Sequence, residues 1–181
     1  MKKISILAIS AIVLIACGSP SEQPATPAAP VAKAAVEPSF VSPILYSYKF
    51  EWGDPKKAEQ VVQLWKDFDD NTLDAHKDYF ADSVSMEFVG STFNGSLDSL
   101  ISQTKAYRNS LPDVESKIEA VMSLHSTDKN EDWVSIWGIE YITHSPGKVD
   151  SAALHEIWRF NAAGKIDYMG QYRRGYAPAK K

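Results

Sequence analysis

SAALHEIWRFNAAGKIDYMGQYRR, residues 151–174, reads as two strands joined by a tight turn. Asn161-Ala162-Ala163-Gly164 supplies the turn, with Gly164 free to take the positive φ that short hairpin loops need. Before it, Leu154, Glu156, Trp158 and Phe160 share one face of a strand. Ala153, His155, Ile157 and Arg159 share the other, because side chains alternate along an extended chain. One carboxylate, Glu156, therefore stands in an otherwise apolar row. A charge on a buried face is costly unless it is paired or used.

Working outward, the chain upstream of this hairpin predicts two further strands, over 114–124 and 133–143. They are separated by the polar turn Asp128-Lys129-Asn130-Glu131-Asp132, and Ser145-Pro146-Gly147 closes the second. Ser135, Trp137, Ile139 and Tyr141 lie on one face of the 133–143 strand. Earlier still, Asp54 and Pro55 have the form of a helix N-cap and first helical position, and Val61, Leu64, Trp65 and Phe68 follow at helical spacing. A short helix is expected over 73–80. A strand follows, in which Val84, Met86 and Phe88 alternate with Ser85 and Glu87. Asn94-Gly95 reads as a turn. A third helix opens at Ser96 or Leu97, with Leu97, Leu100, Ile101, Thr104 and Leu111 on one face and Pro112 just beyond.

Composition bounds the function. The 181 residues are 44% hydrophobic, which suits one globular domain plus appendages, and the formal charge of −4 argues against nucleic-acid binding. Cys17 is the single cysteine, so neither an intramolecular disulfide nor a cysteine-based zinc cluster is possible. The four histidines show no metal-ligand spacing, and no motif calls for a cofactor.

The N-terminus has the form of a leader. Met1-Lys2-Lys3 is a positive start, and residues 4–16 are an apolar run too short for a comfortable membrane span. The junction Leu14-Ile15-Ala16-Cys17 matches the bacterial lipobox, in which the cysteine is acylated with chains such as palmitate and becomes the mature N-terminus. An ordinary secretory signal with an incidental cysteine is the alternative. The Pro/Ala-rich residues that follow are too poor in apolar periodicity to pack, and repeated proline keeps them extended. Residues 40–52 carry Ile44, Tyr46, Tyr48, Phe50 and Trp52 at period two, as a strand or an arm lying on the domain. The expected organisation is a signal peptide over 1–16, then anchor, tether and arm over 17–53. The domain follows over 54–174, with a basic tail over 175–181.

The order of elements, with Tyr79-Phe80-Ala81-Asp82-Ser83-Val84, Phe93-Asn94-Gly95 and Trp158-Arg159-Phe160 … Gly164-Lys165-Ile166, resembles the nuclear transport factor 2-like superfamily. That group includes ketosteroid isomerase, scytalone dehydratase and the SnoaL-like polyketide cyclases. The resemblance spans residues 54–174. It implies an α+β fold in which a curved antiparallel sheet wraps around about three helices to form a cone with a pocket. It also implies that Met169, Gln171 and Arg173 share the face of Glu156, which requires a bulge. Counting from the turn instead puts Tyr168 and Tyr172 there.

By the same resemblance, Trp65, Phe88, Trp137, Tyr141 and Leu154 face the pocket together with Met169, Gln171 and Arg173. Beside ketosteroid isomerase, Glu156 falls where that enzyme keeps a protonated acid. Trp65 falls at its phenolic donor and Phe88 at its general base. A phenyl ring abstracts no proton, so chemistry of that type is not expected. Glu156 is then either a pocket acid or a structural charge paired with an arginine or a tyrosine hydroxyl, and Arg173 either neutralises it or meets a ligand anion. Two functions follow. One is a lipid-anchored pocket domain for a small hydrophobic molecule or a partner protein. The other is a SnoaL-like enzyme using Glu156 as its acid. Homodimerisation through the outer sheet face, where Ile136 and Ile157 are expected, is a further implication. Gly18 and Ser19 place no acid beside Cys17, which makes the outer membrane the expected destination.

Cys17→Ser should leave an unacylated precursor that retains residues 1–16. Mass spectrometry and membrane fractionation would show it, and a mutant matching the unaltered chain in both would sink the assignment.

Overall fold

The structure is a computed structural model that describes residues 37–175. Cys17, the expected leader and the tail past Gly175 lie outside the described residues. Residues 40–175 build β1 (Phe50–Trp52), α1 (Pro55–Asp70), a 3-10 segment (Leu73–Tyr79), β2 (Phe80–Phe88), β3 (Ser91–Ser96), α2 (Leu97–Ser110), β4 (Asp113–Ser126), β5 (Glu131–His144), β6 (Lys148–Phe160) and β7 (Ile166–Gly175). The strands form one seven-stranded sheet in the order β1-β4-β5-β6-β7-β2-β3. β2 runs parallel to β7, so the expected antiparallel sheet is in fact mixed.

Local chemistry sets α1. The Asp54 carboxylate accepts from Lys56 N at 2.9 Å and Pro55 opens the helix, while Asn71 ends it in the left-handed conformation. Val61, Leu64 and Trp65 form its buried face. Its C-terminal carbonyls are met from α2: the Arg108 guanidinium donates to Phe68 O at 3.1 Å and to Asp69 O at 2.8 Å. The Asp69 carboxylate accepts from Ser116 N and Oγ on β4, each at 2.8 Å. Asp67, almost fully buried, accepts from Gln63 Nε2 at 2.9 Å and from the His76 ring at 2.6 Å. That bond pulls the segment after α1 into a 3-10 run kinked at His76, where a regular short helix was expected.

The N-terminal arm joins the sheet edge. β1 pairs with β4, Gly53 N donates to Ser123 O at 3.0 Å, and Thr127 N donates to Lys49 O at 2.9 Å. Tyr46 donates its hydroxyl to Glu131, and its ring meets Trp133 edge-on at 5.7 Å.

Two expectations are corrected. The β2–β3 turn falls at Val89-Gly90, where Gly90 has φ +82°, and Asn94-Gly95 lies inside β3 opposite Ser85 and Val84. Gly95 serves a different purpose: a Cβ there would come within 2.9 Å of the Phe93 ring, so its absence lets that ring lie over the strand.

The second correction concerns β5. Val134, Ile136, Gly138, Glu140 and Ile142 are its buried row, and Trp137 and Tyr141 stand on the outer face. Both rows of β5 are rich in apolar groups, so alternation alone does not say which faces in. Pairing decides it: Ile136 lies opposite Glu156, and residues directly opposite each other share a face. Ile136 is therefore inside, not on the outer face. On β7 the ladder slips between Arg159 and Phe160, leaving Asp167 as the extra residue. Met169, Gln171 and Arg173 then fall opposite Trp158, Glu156 and Leu154.

β4 also slips, between Ile118 and Ala120, which crowds its backbone against Gly138 on β5. A Cβ at Gly138 would run into the Lys117 carbonyl oxygen and approach Ile118 Cα at 2.9 Å. Gly138→Ala should therefore lower stability by about 1–3 kcal/mol in urea denaturation, since rigid backbone must shift to admit the methyl group. An unchanged midpoint would show that the bulge relaxes freely.

Candidate functional site

α1 and α2 close one side of the curled sheet and leave a cavity of about 630 Å³. Leu64 and Trp65 of α1 and Leu154 and Trp158 of β6 line it, with Met86 and Phe88 of β2, Phe93 of β3, and Leu100, Thr104 and Tyr107 of α2. The walls are mostly apolar. The charged groups, Glu140, Glu156 and Arg173, stand with Ser116 and Gln171 on the β4–β5–β6–β7 side, while Ser91 and Thr92 of β3 and Gln103 and Thr104 of α2 put uncharged polar groups on the other. Of the residues singled out in the sequence, Trp65, Phe88, Leu154, Glu156, Met169, Gln171 and Arg173 come together here. Trp137 and Tyr141 do not, because their row of β5 points away; Trp137 instead meets the His155 ring at 5.7 Å on the outer face. Among the described residues, no group of three His, Cys, Asp or Glu side chains could hold a metal ion.

Glu156 is 6% exposed. Its Oε2 accepts from the indole N–H of Trp65 at 2.6 Å and from that of Trp158 at 3.0 Å, and its Oε1 accepts from Gln171 Nε2 at 2.8 Å. Burial raises its pKa above the usual carboxylate value, and the bonds from Gln171, Trp65 and Trp158 hold the rise back. The pairing partners considered from sequence, an arginine or a tyrosine hydroxyl, are replaced by two indoles and an amide.

Arg173 pairs elsewhere. Its Nη2 lies 3.3 Å from Oε1 of Glu140, a second buried carboxylate that is not among the expected site residues. Glu140 is as buried as Glu156. The contact is an ion pair rather than an aligned hydrogen bond, since Oε1 is buried without a hydrogen-bond donor. Burial raises the Glu140 pKa too, opposed first by the charge of Arg173. A signal for Glu140 exists, a carboxylate in the row Val134, Ile136, Gly138, Ile142, but it falls in the row of β5 expected on the outer face.

The bonding of Glu156 suits an isosteric amide. A glutamine oxygen can take both indole N–H groups, and its NH₂ can face Gln171 once that amide turns over. The sign of the pH effect follows from the raised pKa. The folded state holds the Glu156 proton more tightly than the unfolded chain, so native stability falls as pH rises from the ordinary carboxylate pKa through the folded one. Glu156→Gln removes that loss. The variant should fold and should gain stability relative to the unaltered chain as pH rises from 4 to 8, read by urea denaturation at each pH. A stability difference that is flat across this range would contradict the assignment.

No family model matches the chain, and no curated protein matches it in sequence. Solved structures do match it. An NTF2-like protein from Anabaena variabilis superposes with a TM-score of 0.52 at 12% identity, covering 66% of this chain and 87% of its own. An LEH-like epoxide hydrolase from M. tuberculosis superposes with a TM-score of 0.50 at 14% identity, covering 65% of this chain and 81% of its own. At these identities the likeness is one of fold, and it matches the cone of sheet and helices described above. The chain has the nuclear transport factor 2-like fold.

Proposed function

We propose that this chain is a lipid-anchored pocket protein whose folded domain holds a small hydrophobic molecule. One observation carries the reading: a cavity of about 630 Å³ with mostly apolar walls, on whose sheet side Glu140, Glu156, Gln171 and Arg173 converge. That size and lining suit a drug-sized ligand. The anchor is Cys17 at the lipobox-like junction, and the Pro/Ala-rich segment after it is the tether. The cell envelope, with the outer membrane as destination, follows from the same junction. Among the described residues, no helix is long and apolar enough to cross a membrane.

The enzymatic alternative, a SnoaL-like catalyst with Glu156 as its acid, has weaker support. Both Glu156 oxygens already accept hydrogen bonds from the protein, and by the resemblance to ketosteroid isomerase Phe88 falls at the position of the general base. The outer sheet face, where Ile157, Tyr172, Trp137 and Tyr141 lie, is the surface on which we place a homodimer.

Native mass spectrometry of the full chain purified from cells should reveal a bound small molecule. Thr104→Trp, which fills the cavity from α2, should lose it while keeping the far-ultraviolet circular dichroism of the fold. A chain that carries no adduct and takes up no apolar dye would overturn the reading. Sedimentation should show a dimer, and a monomeric mass at every concentration would dispose of it.

A further inference from the structure

The two buried carboxylates of the cavity are not equivalent. Both oxygens of Glu156 already have donors: Oε2 receives Trp65 and Trp158, and Oε1 receives Gln171. Glu140 differs. It is 6% exposed, lines the same cavity, and its Oε1 has no hydrogen-bond donor. The nearest hydroxyl across the ladder belongs to Ser116, directly opposite on β4, and it donates to Asp69 at 2.8 Å instead. Arg173 approaches Glu140 only as an ion pair at 3.3 Å. A buried acceptor without a donor is a cost that a bound donor would relieve.

Charge narrows the ligand further. Glu140 and Glu156 are the two acids among the described residues lining the cavity, and Arg173 is the one cation. The neighbouring Arg108 is committed to the backbone carbonyls at the end of α1. A carboxylate ligand would bring a further acceptor, and negative charge, to a wall that already holds two acids and one cation. A hydroxyl or an amine would bring the missing donor.

We infer that Glu140, flanked by Arg173, is the group that reads the ligand, and that the cavity takes an apolar molecule with a hydrogen-bond-donating head, a hydroxyl or an amine, in preference to a carboxylate. This rests on the pocket reading above and names the ligand class for it. Glu156, by contrast, belongs to the frame of the cavity.

The test is a matched series at pH 7.5: 1-octanol, octylamine and octanoate, titrated calorimetrically into the full chain. Octanol and octylamine should bind, and octanoate should bind at least about tenfold more weakly. Glu140→Gln should weaken octylamine about tenfold and narrow its advantage over octanoate, with circular dichroism unchanged. Arg173→Met should move the series the other way, tightening octylamine and abolishing octanoate. That second variant decides the matter alone if the Glu140 variant does not fold. Octanoate binding as tightly as octylamine, or an order of affinities untouched by the variants that fold, would overturn the inference. If none of the three binds while an apolar dye still enters the cavity, the head-group inference falls and the pocket reading stands. If the dye fails as well, both fall.

Discussion

The buried carboxylate of Glu156 is the constraint on which the arrangement of helix and sheet depends. An ionised group in an apolar wall is tolerated only with its oxygens occupied. Three N–H donors do this, from three elements: Trp65 on α1, Trp158 on β6 and Gln171 on β7. The geometry is demanding, because Trp65 must sit at one height over the sheet for its indole to reach Oε2. The same ring forms part of the apolar wall. One side chain thus fixes the helix to the sheet and shapes the space between them.

The far end of α1 is held by a second set of polar bonds. Arg108 covers its last carbonyls, Asp69 takes two bonds from Ser116, and Asp67 draws His76 toward the helix. The helix is therefore tied to β6 at its middle and to β4 and α2 at its end. The cavity between these ties has its charged groups, Glu140, Glu156 and Arg173, on the sheet wall.

How much of this was legible followed from how local each signal is. The hairpin, the cap of α1 and the inward carboxylate at 156 are written in alternation and in single residues, and all were readable. The inward row of β5 was not, because Trp137 and Tyr141 look as apolar as Val134 and Ile136. Only the pairing of Ile136 with Glu156 separates them. Glu140 was lost with that choice of face, although it satisfies the criterion that marked Glu156. Asn94-Gly95 carries a strong turn signature, yet the chain turns at Gly90 and keeps Gly95 clear for the ring of Phe93. The parallel pairing of β2 with β7 leaves no mark in either strand, since contacts between residues so far apart in sequence have no periodicity to betray them.

That parallel pairing also sets a timetable. Met86 pairs with Met169, so β2 waits for the last strand of the chain before its own edge is filled. Until then Met169, Gln171 and Arg173 are missing from the cavity, and Glu156 lacks one of its donors. A chain emerging in order would have its helices ready but nothing to enclose. Folding dominated by such distant contacts is slow. Here the part of the cavity wall that β7 supplies depends on such a contact.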